Sequence, residues 1–295
     1  MQKKILFVLL SIVFLTTCHS DKRTKNEMAI DGTPIVIDPG ILDGIVDGSS
    51  TPSIDMAALV QDEGIPFSMK YLCSPNLIDK YKSDFKKVFG LGLLCLDLAY
   101  LNIYEKTAHI MNYITVIKHL SQDMHVAQFF DFPKLKRFAA NKEHLDSLMI
   151  LSLHSFGKMD DYWREHDNSN LSTLFVSGVW LEDLYLATQV VKQKRNKKIE
   201  ERIAEQKTIL MDLINVLRHY KSNPTVAELI AEFEKISKTF EGVETIYDIG
   251  EPTKKTVNNR VVIVENVGCV VKITKKQLDA IIKATEEVRN KWVNN

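Results

Sequence analysis

The sequence predicts a mainly α protein, a multi-helix bundle or a stack of helical hairpins, closed by a small C-terminal β-hairpin and a final helix. Three observations predict it. Apolar residues recur at helical spacing over most of the chain beyond Pro75. These segments are separated by N-cap residues and prolines, not by the closely spaced turn signals of an all-β chain. One short stretch near the C-terminus is β-branched and lacks the helical period.

Taken in order, the chain opens with an export signal. Lys3 and Lys4 form a positive n-region, Ile5 to Leu15 is apolar but shorter than a membrane span, and Leu15-Thr16-Thr17-Cys18 closes it. That tetrad resembles a bacterial lipobox, although Thr17 is bulkier than the small residue usual before the cysteine. Residues 1–17 therefore read as a lipoprotein signal peptide, with Cys18 as the lipidation site and membrane lipid as its partner. Several acyl chains, at about 0.8 kcal/mol per buried methylene, make such an anchor effectively permanent. The basic residues that follow, Lys22, Arg23 and Lys25, favour an outer-membrane protein facing the periplasm over one displayed at the surface.

Residues 18–52 read as a lipid-anchored flexible tether, rich in Asp, Gly and Pro. Asp38, Asp43 and Asp47 lack the spacing and the closing Glu of a calcium loop. Residues 53–295 read as one helical domain. Ser53 starts a short helix to Asp62, ended by Gly64 and Pro66. A long helical region then runs from Pro75 to Leu120 through Leu77, Tyr81, Phe85, Val88, Leu96, Leu101 and Ile114, with a break or a close helix contact expected at Gly90 and Gly92. Asp131-Phe132-Pro133 is a cap followed by a first-turn proline, and Asn141 precedes the segment Leu145 to Phe156.

Asp160 to Asn170 reads as a loop or frayed end, and Leu171 to Gln189 as a very apolar helix. Helices from Lys198 to Tyr220 and from Thr225 to Phe240 follow, the second with an apolar stripe of Val226, Leu229, Ile230, Phe233, Ile236 and Phe240. The β-branched runs Arg260–Val264 and Val270–Ile273, parted by Asn266 and Gly268, predict a hairpin near residues 260–273, lying on the helical body. Thr274 and Gln277 form a capping box for a terminal helix, 275–293, with Leu278, Ile281, Ile282, Thr285, Val288 and Trp292 on one face.

Lys plus Arg and Asp plus Glu both number 38, so no basic stripe points to nucleic acid. The local run Lys192 to Lys198 is neutralised by Glu200, Glu201 and Glu205 and reads as a solvated face. Cys73, Cys95 and Cys269 are too irregularly spaced for a disulfide framework. Cys95, inside an apolar run, reads as a small core residue.

Gly92-Leu93-Leu94-Cys95-Leu96-Asp97-Leu98-Ala99-Tyr100-Leu101-Asn102, with Lys80-Tyr81 before it, resembles a family of helical lipoproteins of Bacteroidota. Gln128-Phe129-Phe130-Asp131-Phe132 and Gly178-Val179-Trp180-Leu181-Glu182 extend the resemblance, which covers about residues 51–189. It implies a helical lipoprotein and carries over no catalytic residue. Within the chain, Gly92 to Leu98 and Gly178 to Leu184 share a G-x-x-x-x-D-L pattern. A duplicated helical hairpin would produce such an echo, but the match is short and repeat arrays need three units, so coincidence is the preferred reading.

Asp97 stands among apolar and aromatic helical neighbours, and Glu182 lies between Trp180, Leu181 and Tyr185. A buried carboxylate must be paired, hydrogen-bonded or protonated. We read both as structural, held by helix N-termini, Tyr hydroxyls or Asn102; a ligand pocket would be lined by Asp97, Tyr104, Trp180 and Glu182. The histidines lack di-iron spacing, the serines lack a nucleophile elbow, and Gly90-Leu91-Gly92 does not follow a strand. No cofactor and no catalytic residue is assigned. The sequence is best read as a non-enzymatic interaction or assembly module with envelope proteins as partners, ahead of a small-molecule or lipid binder and an enzyme with a carboxylate-based site.

Overall fold

The computed structural model describes residues 64–249, 253–257, 260–264 and 267–294. The expected signal peptide with Cys18, the expected tether with its aspartates and the short helix expected from Ser53 lie outside them. Among the described residues the protein is mainly α, with eight α-helices.

After short 3-10 turns at Met69–Tyr71 and Pro75–Lys80 come α1 (Asp84–Ile103) and α2 (Thr107–Asp123). Ser83 caps α1 by accepting from the Lys86 N–H. Of the break or close helix contact expected at Gly90 and Gly92, the structure shows the close contact, in an unbroken helix. The chain turns instead at Tyr104–Lys106, where Glu105 takes φ 53° without any glycine or proline to announce it. The two glycines are close contacts. A Cβ on Gly90 would stand 2.2 Å from the Tyr81 ring.

Helix α3 (Phe132–Ala139) starts as the sequence predicts, with Asp131 accepting from the Lys134 N–H at 3.0 Å and Pro133 in the first turn. Helix α4 (Leu145–Glu165) runs into the first part of the stretch expected to be a loop or frayed end. Its polar end is helical because Asp160 is buried and bound by Ser172 and Arg164, while Trp163 enters the core. The turn falls later, at Asp167, which has φ 59°.

Helix α5 (Ser169–Gln193) is apolar all round and long enough to cross a membrane, but 94% of its apolar window is buried inside the protein. Asn196 and Asn223 cap α6 (Lys197–Arg218) and α7 (Pro224–Thr239) with their side-chain oxygens. The α7 stripe is buried as predicted. Helix α8 (Lys275–Asn294) opens on the predicted capping box, Gln277 N–H to Thr274 Oγ1 at 3.2 Å and Thr274 N–H to Gln277 Oε1 at 2.8 Å.

The predicted C-terminal hairpin is not seen. Strand β3 (Arg260–Val264) pairs antiparallel with β2 (Thr253–Val257), and β4 (Val267–Lys272) pairs with β1 (Glu244–Ile249), so the two runs expected to pair with each other each have another partner. Gly268, expected in the turn, lies in β4 opposite Asp248.

The helices form two halves of like connectivity. In each, four successive helices pack on their neighbours and the fourth returns to the first: α1 to α4, then α5 to α8, with the strands entering between α7 and α8. Among the described residues the most extensive packing between helices joins the first helices of the halves, α1 and α5. The G-x-x-x-x-D-L echo falls on this contact. A Cβ on Gly92 would lie 2.3 Å from the Phe175 carbonyl, and one on Gly178 would lie 2.2 Å from the Phe89 carbonyl. The relation is reciprocal. Each glycine admits the backbone of the other helix, so what reads as coincidence in sequence marks equivalent positions in two matching halves.

Candidate functional site

One turn beyond this glycine contact, the two helices bring a carboxylate each to the same place. Asp97 and Glu182 are fully buried, and one oxygen from each lies within 4.8 Å of the other and of Cys73 Sγ. Close backbone approach is what allows this. With the glycine and carboxylate contacts both in step along the chains, α1 and α5 run side by side in the same direction.

Each carboxylate is held differently. Asp97 Oδ2 accepts the Cys73 N–H at 2.8 Å, and the Cys73 carbonyl in turn accepts the Tyr113 hydroxyl of α2 at 2.5 Å. Glu182 meets Arg289 of α8 in a two-point pair: Nε donates to Oε2 at 3.0 Å and Nη2 to Oε1 at 2.7 Å. The same Nη2 reaches the Tyr71 carbonyl at 3.0 Å and Cys73 Sγ at 3.1 Å. The guanidinium stacks on Tyr185, 4.3 Å from its centroid. One cluster thus ties together the incoming segment, α1, α2, α5 and α8.

The charge count decides the protonation. Two carboxylates face one guanidinium, and both Glu182 oxygens are engaged by it. Asp97 Oδ1 has no partner if it can only accept. A proton on Asp97 turns that oxygen side into a donor towards Glu182 and leaves a single ion pair in the core. Burial, then the Glu182 charge, push the Asp97 carboxyl well above the usual range, against the opposing pull of Arg289 and the Cys73 N–H. Burial and the same carboxylates raise the Cys73 thiol, and burial raises Cys95, Tyr81 and Tyr113. Arg289 is held charged: burial disfavours the cation, but Glu182 more than offsets it.

Cys73, Asp97 and Glu182 have the composition of a small metal site. The cation they surround belongs to the chain itself. Arg289 contacts both Glu182 oxygens and Cys73 Sγ, so a metal ion at this point would have to displace a guanidinium held by four contacts. Cys73 and Cys95 are free and buried; Cys269 lies in β4, and its side chain is outside what the structure describes.

The other expected pocket residues are elsewhere. Tyr104, two helical turns beyond Asp97, packs its ring at a tilt against Tyr100 and Phe67. Trp180 is fully buried but lies about 200° round α5 from Glu182, against Phe233 of α7. Asn102 is no partner of Asp97; its amide donates to the Leu145 carbonyl. Arg289 and Cys73 were the missed partners. Arg289 had a signal, because it interrupts the α8 stripe at helical spacing from Ile282, Thr285 and Trp292. Comparison with protein-family models, with curated proteins and with solved structures finds no match to this chain.

Proposed function

We propose that this chain is a lipid-anchored helical module of the bacterial cell envelope, joined to membrane lipid through Cys18 and working by contact with other envelope proteins, not by catalysis. The observation that carries this reading is the state of its charged core. Asp97, Glu182, Arg289 and Cys73, the groups best suited to chemistry, are buried and engaged with one another or with backbone, as structural residues are. The leader ending at Cys18 and the resemblance to helical lipoproteins of Bacteroidota support the address, with the periplasmic face of the outer membrane as the site.

Fractionation tests the anchor and cross-linking tests the module. Cys18→Ser releases the protein from the membrane fraction or blocks its maturation. A photo-reactive residue at exposed Ile150 or Met211 captures envelope proteins from the anchored form. If Cys18→Ser still partitions wholly with membranes at normal size, the anchor is wrong. If native mass spectrometry of the helical body shows a retained small molecule, the binding-protein reading replaces this one.

A further inference from the structure

We propose that Asp97, Glu182 and Arg289 form a proton-operated latch, in which a proton held between the two carboxylates decides whether the Tyr71–Cys73 segment and α8 stay docked on α1 and α5. The geometry states the mechanism. Two acidic groups from adjacent helices converge on one point, where Glu182 holds a guanidinium, and that guanidinium and the Cys73 N–H are among the bonds that dock the incoming segment and the last helix.

The surroundings leave one site for the titration. From the incoming segment Cys73 and Tyr81 face the cluster, from α1 Cys95, from α2 Tyr113, from α5 Glu182 and Tyr185, and from α8 Arg289. The thiols and phenols are all held towards their neutral forms. When solvent base takes the Asp97 proton, its O–H bond breaks and the core gains one uncompensated negative charge beside Glu182. Opening the latch then returns Asp97 to water. Because the closed form holds the proton and the open form does not, the open fraction grows about tenfold per pH unit until the closed form also deprotonates. This mechanism is independent of the lipid anchor. It can fail while the envelope reading stands, and the reverse.

The test is N-ethylmaleimide labelling of Cys73, read by peptide mass spectrometry, in the parent protein and in Asp97→Asn between pH 6 and pH 8. Asparagine keeps the acceptor for the Cys73 N–H and a donor towards Glu182 but cannot titrate. Taking the ratio of the two rates at each pH cancels the ionisation of the thiol itself. The latch predicts that the parent-to-variant ratio climbs by about tenfold per pH unit over the titrating range; a ratio flat across the range overturns it. Should Asp97→Asn fail to fold, infrared spectroscopy of the parent decides. An un-ionised carboxyl band at neutral pH that disappears at alkaline pH supports the latch, and its absence at neutral pH overturns it.

Discussion

Arg289 and Glu182 are 107 residues apart in the chain and meet in the core through two hydrogen bonds, with Arg289 5% exposed and Glu182 not at all. The pair closes the second half of the molecule, joining its last helix to its first. Through Tyr71 and Cys73 it also fastens the segment that enters from the N-terminal side.

The glycine contact predicts an asymmetric response to alanine. Gly92→Ala and Gly178→Ala each force a Cβ against a carbonyl of the facing helix, so each should destabilise by about 1–3 kcal/mol or more. Gly157→Ala in α4 meets nothing within 4 Å and should stabilise by up to about 1 kcal/mol. Urea unfolding of the three variants checks both signs.

At Asp97 two substitutions separate hydrogen bonding from charge. Asp97→Ala leaves the buried Cys73 N–H without its acceptor and should cost about 1–3 kcal/mol. Asp97→Asn should melt at or above the parent temperature at neutral pH, because it keeps the hydrogen bonds and removes a group that must hold a proton to be buried. Thermal unfolding of both variants side by side is the check.

Stability should also depend on pH with a defined sign. The Asp97 pKa is raised on folding, so its contribution is complete below the unfolded carboxylate value of about 3.9 and is lost as pH rises towards the folded value. Glu232 and Glu286 run the other way. Burial raises them, but hydrogen bonds from Lys235 and Lys291, and from Lys192 and Gln189, hold both below the usual range, so their contribution is lost in acid. Between pH 5 and pH 8 the melting temperature of the parent should fall relative to that of Asp97→Asn, and calorimetry across that window measures the difference.

Much of the helical body was legible because its signals are local. Asp131 and the Thr274–Gln277 box each act within three residues of themselves, and the α7 stripe follows from period alone. The turn at Glu105 carries no such signal, being a left-handed residue imposed by the packing of α1 on α2. The strand partners were hidden for a related reason: β-branching marks a strand but not its register. At the site, the sequence showed that Asp97 and Glu182 must be inward and satisfied. It could not show by what, since their partners lie 24 and 107 residues away.

The central claim is that this cluster is structural, and a double-mutant cycle on Glu182 and Arg289 tests it most directly. Unfolding free energies of the parent, Glu182→Ala, Arg289→Ala and the double variant give the coupling. Each single change strands a buried charge, so the account predicts losses of about 3–5 kcal/mol, with a double variant far less damaged than their sum. If either single variant folds and melts at or above the parent temperature, the pair is strained in the native protein. The cluster would then be a functional site and not a clamp.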